Sequence, residues 1–330
     1  MNILIHTVPY MMNATYFIDI GYVNAFRAMG HSVNVLEYGS PFPDKEEFIP
    51  DISISYFHIA YSEKTDYHTL AQYKKEKGTR IVIWGSPFNV PADKYTDEHK
   101  GLHPQRHRSM MKDDLFDLCI TFYPPEGINM YYRHWTDEFG ISVLSLPFAA
   151  DVTVFRPCKA EERYKADLCF FGGIHRTKKM PFYSYIRPLL DKYTMIAVGE
   201  GWEGWPVTRI SVPYGDEPNI LSSTSIIPNV HMDLCRDVPG MAPNMRTFQS
   251  IAGGGFVVSD NVPALRHYFQ EDEVPVGLTP KDYKEKIDYF IMHPDERHEY
   301  WLRAYKRMIN EHTYIHRVKS LLEALSVVVH

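Results

Sequence analysis

Between positions 244 and 260 the chain reads Asn-Met-Arg-Thr-Phe-Gln-Ser-Ile-Ala-Gly-Gly-Gly-Phe-Val-Val-Ser-Asp: a helix, a glycine turn and a buried strand in succession. Such a succession is one step of the strand–helix alternation from which doubly wound α/β sheets are built. With Asn244 as the cap, Met245, Phe248, Ile251 and Ala252 fall on one apolar face and Arg246, Gln249 and Ser250 on the other. The helix start offers unpaired N–H groups and a positive dipole end, and Arg246 adds a cation with a planar donor fork. Phosphate is the natural guest for such a start.

The rest of the chain repeats the alternation. Strands are expected over 2–6, 32–38, 52–58, 80–84, 118–122 and 143–146, then over 166–171, 194–198, 209–212, 226–231, 255–259 and 274–276. Helices are expected over 66–77, 127–139, 294–311 and 316–328, and Thr279-Pro280-Lys281-Asp282 reads as a helix start with a capping threonine and proline at the first helical position. A proline-bounded, turn-rich stretch from Leu146 to Pro157 interrupts the pattern. The expected organisation is therefore a first domain over 1–150, a second over 151–315, and a last helix over 316–330.

A length of 330 residues, 45% of them hydrophobic and 23% charged, supports two domains with full cores. A net charge of −6 argues against a broad nucleic-acid footprint. One basic segment, His99, Lys100, His103, Arg106, His107, Arg108 and Lys112, reads either as a solvated loop entering a helix or as a surface for an anionic acceptor. Cys119, Cys158, Cys169 and Cys235 lie far apart without a Cys-x-x-Cys pair, as expected of buried reduced thiols and not of a zinc knuckle. The opening run carries no basic leader and no segment reaches spanning length, so a cytoplasmic protein without a membrane span is expected.

The 244–260 segment, followed by Pro263-Ala264-Leu265, resembles the donor-site segment of glycosyltransferases of the GT-B fold, group 1-like, and is most similar to the CgeB-like spore maturation group. Those read Asn-x-Arg-x-Phe-Glu-x-x-Ala-x-Gly, so Gln249 stands where Glu is usual. The resemblance implies an α/β fold of two Rossmann-like domains facing across a cleft, with the C-terminal helix crossing back to the first. The Leu146-Pro147-Phe148-Ala149-Ala150-Asp151 stretch, with Phe155-Arg156-Pro157, resembles that family's interdomain segment, which implies that Asp151 lies beside the cleft.

Gly172 and Gly173 follow the first strand of the second domain and lead to Arg176, Lys178 and Lys179, at the strand end where open sheets bind ligands. The resemblance carries Arg176 and Lys178 over as donor-diphosphate ligands, joined by Met241, Ala242, Asn244, Arg246, Thr247 and Gln249. His231 and Asp233, at another strand end, read as catalytic residues lining the sugar pocket, with His231 as a packed strand residue the alternative. Many retaining relatives carry two glutamates eight residues apart here; Met241 and Gln249 occupy those positions. The Gly199–Trp205 run and Tyr214 read as a wall against the base or as packing anchors. On the acceptor side the candidates are His6, Thr7, Asn13, His58, Trp84 with Gly85-Ser86-Pro87, and Tyr123.

The expected activity is metal-independent, retaining transfer from a nucleoside diphosphate sugar, UDP favoured over GDP, to a hydroxyl acceptor, by a monomer or homodimer without a cofactor. The alternatives are a catalytically reduced nucleotide-sugar binding protein, a viral-type transferase for which nucleic acid is the acceptor through modified bases, and a nucleotide-sugar epimerase.

Overall fold

A computed structural model describes residues 1–9, 14–43, 47–85, 104–174, 179–232 and 242–327. The fold is α/β, with two parallel six-stranded sheets, and all twelve anticipated strands form. The contacts divide the chain into Met1–Pro147 with Tyr314–His330, and Phe148–Thr313.

The first unit holds β1 (Asn2–Thr7), β2 (Ser32–Glu37), β3 (Ile52–Phe57), β4 (Arg80–Gly85), β5 (Leu118–Thr121) and β6 (Val143–Ser145), in the order β2-β1-β3-β4-β5-β6. The helix Tyr314–Val327 packs on the helix Ala14–Ala28 within this unit, where the Tyr314 and Tyr22 rings meet at 5.0 Å. The single helix expected over 127–139 is instead two, Pro125–Tyr131 and Arg133–Phe139. Tyr132 is the reason: its buried hydroxyl donates to the Gly85 carbonyl at 2.7 Å and receives the Thr121 hydroxyl at 2.9 Å, which draws the backbone out of the helix at φ −119° and ψ −1°.

The second unit holds β7 (Ala166–Phe171), β8 (Met195–Val198), β9 (Thr208–Ile210), β10 (Thr224–Asn229), β11 (Val257–Asp260) and β12 (Val276–Gly277), ordered β12-β11-β10-β7-β8-β9. Successive strand residues feed two separate cores. Cys169, Ile196, Ile227 and Val257 pack on one face with Phe248 and Ile251, while Leu168, Phe170, Ile226 and Val258 pack on the other with Phe182, Trp202 and Tyr283. A parallel sheet covered on both faces needs this continuous apolarity, and for that reason the strands read as unbroken hydrophobic runs.

The helix Met245–Ala252 is set by its ends. The Asn244 side chain accepts from the Thr247 N–H at 3.1 Å, and the Gly253 N–H returns to the Gln249 carbonyl at 2.9 Å. Its buried face, Phe248 and Ile251, contributes roughly 1.5–3 kcal/mol per side chain. Ser250, expected on the polar face, is buried, and Met245, expected on the apolar one, is half-exposed. Ser250 is enclosed where the chain folds back, its carbonyl accepting from the Gly255 N–H at 2.8 Å. Thr279 caps the helix Pro280–Met292 through the Asp282 N–H at 3.1 Å.

Candidate functional site

In the second sheet β7 opens the series, β8 and β9 extend to one side, and β10, β11 and β12 to the other. Connections leaving β7 and β10 run in opposite directions, which opens a crevice at their carboxyl ends; doubly wound sheets bind ligands in that crevice.

At the β7 exit, the Gly172 N–H donates to the Val198 carbonyl at 2.8 Å, the Ile174 N–H to the Glu200 carbonyl at 2.9 Å, and Trp202 Nε1 to the Gly172 carbonyl at 3.0 Å. Two turns thus lie back to back. Gly199 has φ +121°, and a Cβ there would stand 2.7 Å from the Gly172 carbonyl carbon and 2.9 Å from the Gly173 nitrogen. Gly199→Ala is expected to cost about 1–3 kcal/mol through strain and to displace the Gly172–Gly173 turn, read as a lower thermal midpoint and weaker nucleotide binding. Trp202 is wholly buried against Phe170 and Phe182, so it anchors this turn and is not a wall for a base.

At the β10 exit the chain passes Asn229 and His231. The His231 side chain is fully buried, with Nδ1 2.6 Å from Asp260 Oδ1, and its backbone N–H donates to Asp260 Oδ2 at 3.0 Å. Nε2 accepts the Asn244 N–H at 3.1 Å, so the ring proton lies on Nδ1, toward the carboxylate. Both ring nitrogens are occupied in orienting the helix start, and in this arrangement His231 is a post under the site, the packed alternative of the two sequence readings. Asn244 Nδ2 donates to Asn229 Oδ1 at 3.0 Å, and Asn229 Nδ2 donates to the Thr247 hydroxyl at 2.9 Å. Thr247 is fully buried, its hydroxyl donating to Asn244 Oδ1 at 3.1 Å, so its side chain locks the cap and does not reach toward a ligand.

Arg246 lies over this bed. Its guanidinium carbon stands 4.0 Å from the centre of the Phe170 ring, Nη1 is 3.4 Å from Asn229 Oδ1, and Nη2 is 3.2 Å from where a Gly172 Cβ would be. Nε is buried without a hydrogen-bond partner. Burial lowers the guanidinium to about 10, opposed by the nearby Tyr283, Asp260 and Cys169, so it remains a cation at neutral pH. The structure therefore brings Gly172, Gly173, Asn244, Arg246, Thr247 and His231 to one edge, with Ala242 buried just before the cap and Gln249 half-exposed one turn on. Arg176, Lys178, Asp233 and Met241 lie outside the described residues.

Three contributors escaped the sequence reading: Asn229, Asp260 and Phe170. Asn229 and Asp260 did leave a trace, each a polar residue ending an apolar strand at the carboxyl edge. A separate cavity of about 360 Å³, lined in part by Ser222, Thr224, Arg297 and Trp301, lies at the amino end of β10, away from this edge.

In the first unit, His107 of the basic segment is buried, its Nε2 bonded to the Ser62 hydroxyl at 2.5 Å and its ring 4.3 Å from that of Phe57, and Arg108 pairs with Glu138. The segment is in part a core helix face and not a continuous basic surface; residues 99–103 lie outside the described residues. His6, Thr7, Trp84 and Tyr123 are buried, and His58 Nδ1 accepts the Ala60 N–H at 3.1 Å. Asn13, Ser86 and Pro87 lie outside the described residues. Asp151 is buried and shapes the turn after β6, accepting from the Thr153 N–H at 3.0 Å and hydroxyl at 2.6 Å.

Residues 182–323 match the family model described as glycosyl transferase-like. The structure is similar to that of T4 phage BGT in complex with UDP-glucose, at 11% identity over 99% of this chain and 98% of that one, with a TM-score of 0.60. It is also similar to sucrose-phosphate synthase from Thermosynechococcus elongatus, at 10% identity over 99% of each chain and a TM-score of 0.62. A third similar structure is an alpha-glucosyltransferase in complex with UDP and a 13-mer DNA containing a HMU base, at 10% identity over 99% of each chain and a TM-score of 0.63. No curated protein matches by sequence. The chain has the GT-B fold of these structures, and the likeness to glycosyl transferases in sequence lies in residues 182–323. The narrower CgeB-like likeness has no counterpart in these matches. Among the described residues no helix is long and apolar enough to cross a membrane.

Proposed function

We propose that this chain transfers a sugar from a UDP-sugar to a hydroxyl acceptor and holds the donor pyrophosphate at the β7/β10 edge. The observation that carries the reading is Arg246: a cation stacked 4.0 Å over Phe170, its Nε buried without a partner, beside a glycine turn and a helix start. Such a group has been desolvated without recovering its hydrogen bond, which an incoming phosphate oxygen supplies. As the bond from C1 to the leaving oxygen breaks, negative charge grows on the diphosphate, and a fixed cation with a helix dipole stabilises it there. The support for UDP is that similar structures, T4 phage BGT and the alpha-glucosyltransferase, hold UDP-glucose or UDP.

Positions 241 and 249 carry Met and Gln, so neither offers a carboxylate. We read the reaction as retaining: the acceptor proton passes to the leaving phosphate oxygen while the acceptor oxygen bonds to C1 on the same face. The Gln249 amide both donates and accepts, which suits ribose hydroxyls. Cations in place of a metal are part of the same reading. A modified base in DNA is the second reading of the acceptor, favoured by the HMU-containing DNA held by the similar alpha-glucosyltransferase. Calorimetric titration with UDP, GDP and ADP, each with Mn²⁺ and with EDTA, tests the donor site. UDP is expected to bind tightest, with EDTA changing its Kd by less than about threefold, below 1 kcal/mol; no binding of any of the three removes the reading.

A further inference from the structure

The first sheet has its own reversal point, between β1 and β3, since β2 lies to one side and β4, β5 and β6 to the other. Two residues of the helix Ala14–Ala28 are buried beside those strands. Asp19 is 2% exposed and Tyr22 is 3% exposed, three positions apart and therefore on one helix face. Asp19 Oδ2 and the Tyr22 hydroxyl are both inaccessible and both lack a hydrogen-bond partner.

The surroundings place the pair. Thr7, the last residue of β1, contacts the Asp19 carboxyl, and Tyr22, Tyr38 and Tyr56 lie within electrostatic reach of it. Tyr38 is already used, its hydroxyl accepting the Tyr56 N–H at 2.7 Å. The Tyr22 ring meets Trp84 at 5.6 Å, and Tyr56 stacks on Trp84 at 5.9 Å. Folded proteins rarely leave buried polar atoms unpaired, and two together on an α/β sheet's ligand-binding edge mark a place kept for a guest.

We propose that Asp19 Oδ2 and the Tyr22 hydroxyl form a two-point contact for one hydroxyl of the acceptor, a site in the first unit that rests on the sugar-transfer reading. The chemistry selects the guest. Burial raises the Asp19 carboxyl well above its usual range, the Thr7 hydroxyl opposing, which favours the neutral acid, able to donate as well as accept. Tyr22, raised by burial, is likewise neutral. Two neutral groups that each give and take a proton match a hydroxyl, which does the same. A cationic guest would require Asp19 to ionise among aromatic rings and would be repelled by Arg317, whose charge acts on Tyr22, while an anion would lie against the Asp19 carboxyl.

The test uses the full chain with Asp19→Leu and Tyr22→Phe. Three quantities are measured: hydrolysis of UDP-glucose by water, glucose transfer to methyl β-D-glucoside or to duplex DNA containing a HMU base, and the thermal midpoint. Transfer kcat/KM is expected to fall roughly 3- to 10-fold in Tyr22→Phe and on the order of 100-fold in Asp19→Leu. Donor hydrolysis stays within about twofold, and the midpoint holds or rises because an unpaired buried polar atom has been removed. The two acceptors identify the hydroxyl source, sugar or nucleic acid. Unchanged transfer in both variants overturns the proposal; so does a lower midpoint in both, which would mark an ordinary structural pair. A wild-type chain that hydrolyses donor but glucosylates neither acceptor also overturns it. A wild-type chain that neither binds UDP nor hydrolyses UDP-glucose overturns instead the sugar-transfer reading beneath it.

Discussion

Arg246→Ala is expected to weaken UDP binding by about 100-fold, the equivalent of roughly 2.7 kcal/mol, in calorimetric titration at neutral pH. Hydrogen bonds to charged groups contribute about 1.5–3 kcal/mol each, and the buried Nε together with the outer nitrogens supplies more than one donor to a diphosphate. The unliganded protein responds differently. Alanine removes a cation–π contact worth about 0.5–2 kcal/mol but also removes a buried donor without a partner, two opposing effects of similar size. The apo thermal midpoint therefore moves little, while the upward shift produced by saturating UDP, about 2.7 kcal/mol at 100 times Kd, disappears. Arg246→Lys recovers the charge without the fork or the flat face on Phe170 and is expected to remain about tenfold weaker than wild type. UDP affinity unchanged by Arg246→Ala would take the pyrophosphate away from this edge.

The two sheets were legible in the sequence because every strand is a short apolar run that must bury both faces, as the split of Ile226 from Ile227 and of Val257 from Val258 between the two cores makes plain. Caps were legible for an equally local reason: Asn244 and Thr279 have side chains that reach the N–H three residues ahead. What escaped was set by partners distant in sequence. Nothing near Tyr132 announces that its hydroxyl will be held by Gly85, 47 residues away, and so break a helix. Ser250 and His107 looked like surface residues because polarity was the only local signal, whereas a backbone turn encloses the first and Ser62 with Phe57 encloses the second. At the candidate site, the place of Asn244 and Arg246 at the helix start was readable. The supports were not, because Asp260 meets His231 across 29 positions and Phe170 meets Arg246 only through the neighbouring β7 and β10 strands.

His231→Ala is expected to lower the thermal midpoint by roughly 6–20 °C, from a loss of about 3–5 kcal/mol in a unit of this size, and to weaken UDP binding as well. The magnitude follows from what is left behind. Asp260 is fully buried and keeps only the His231 backbone N–H of the two bonds it makes to that residue, so its charge loses the closest donor it has there. At the other end the Asn244 N–H loses its acceptor at the start of the helix. Asn244 also holds Asn229, which contacts Arg246, so slack at this point reaches the guanidinium through two further hydrogen bonds. Asp260→Asn separates the parts of this effect. It preserves shape and removes the charge, but its amide can face only one of the two His231 donors with an oxygen, and a cost of about 1–3 kcal/mol is expected. Amide hydrogen exchange gives a readout that a general loss of stability does not imitate: in Asp260→Asn the Asn244 and Met245 amides exchange faster than those in the middle of the same helix. If the Asn244 amide keeps its wild-type protection in both variants, His231 is only a packed residue, and the Arg246 site is held by the Asn244 cap alone.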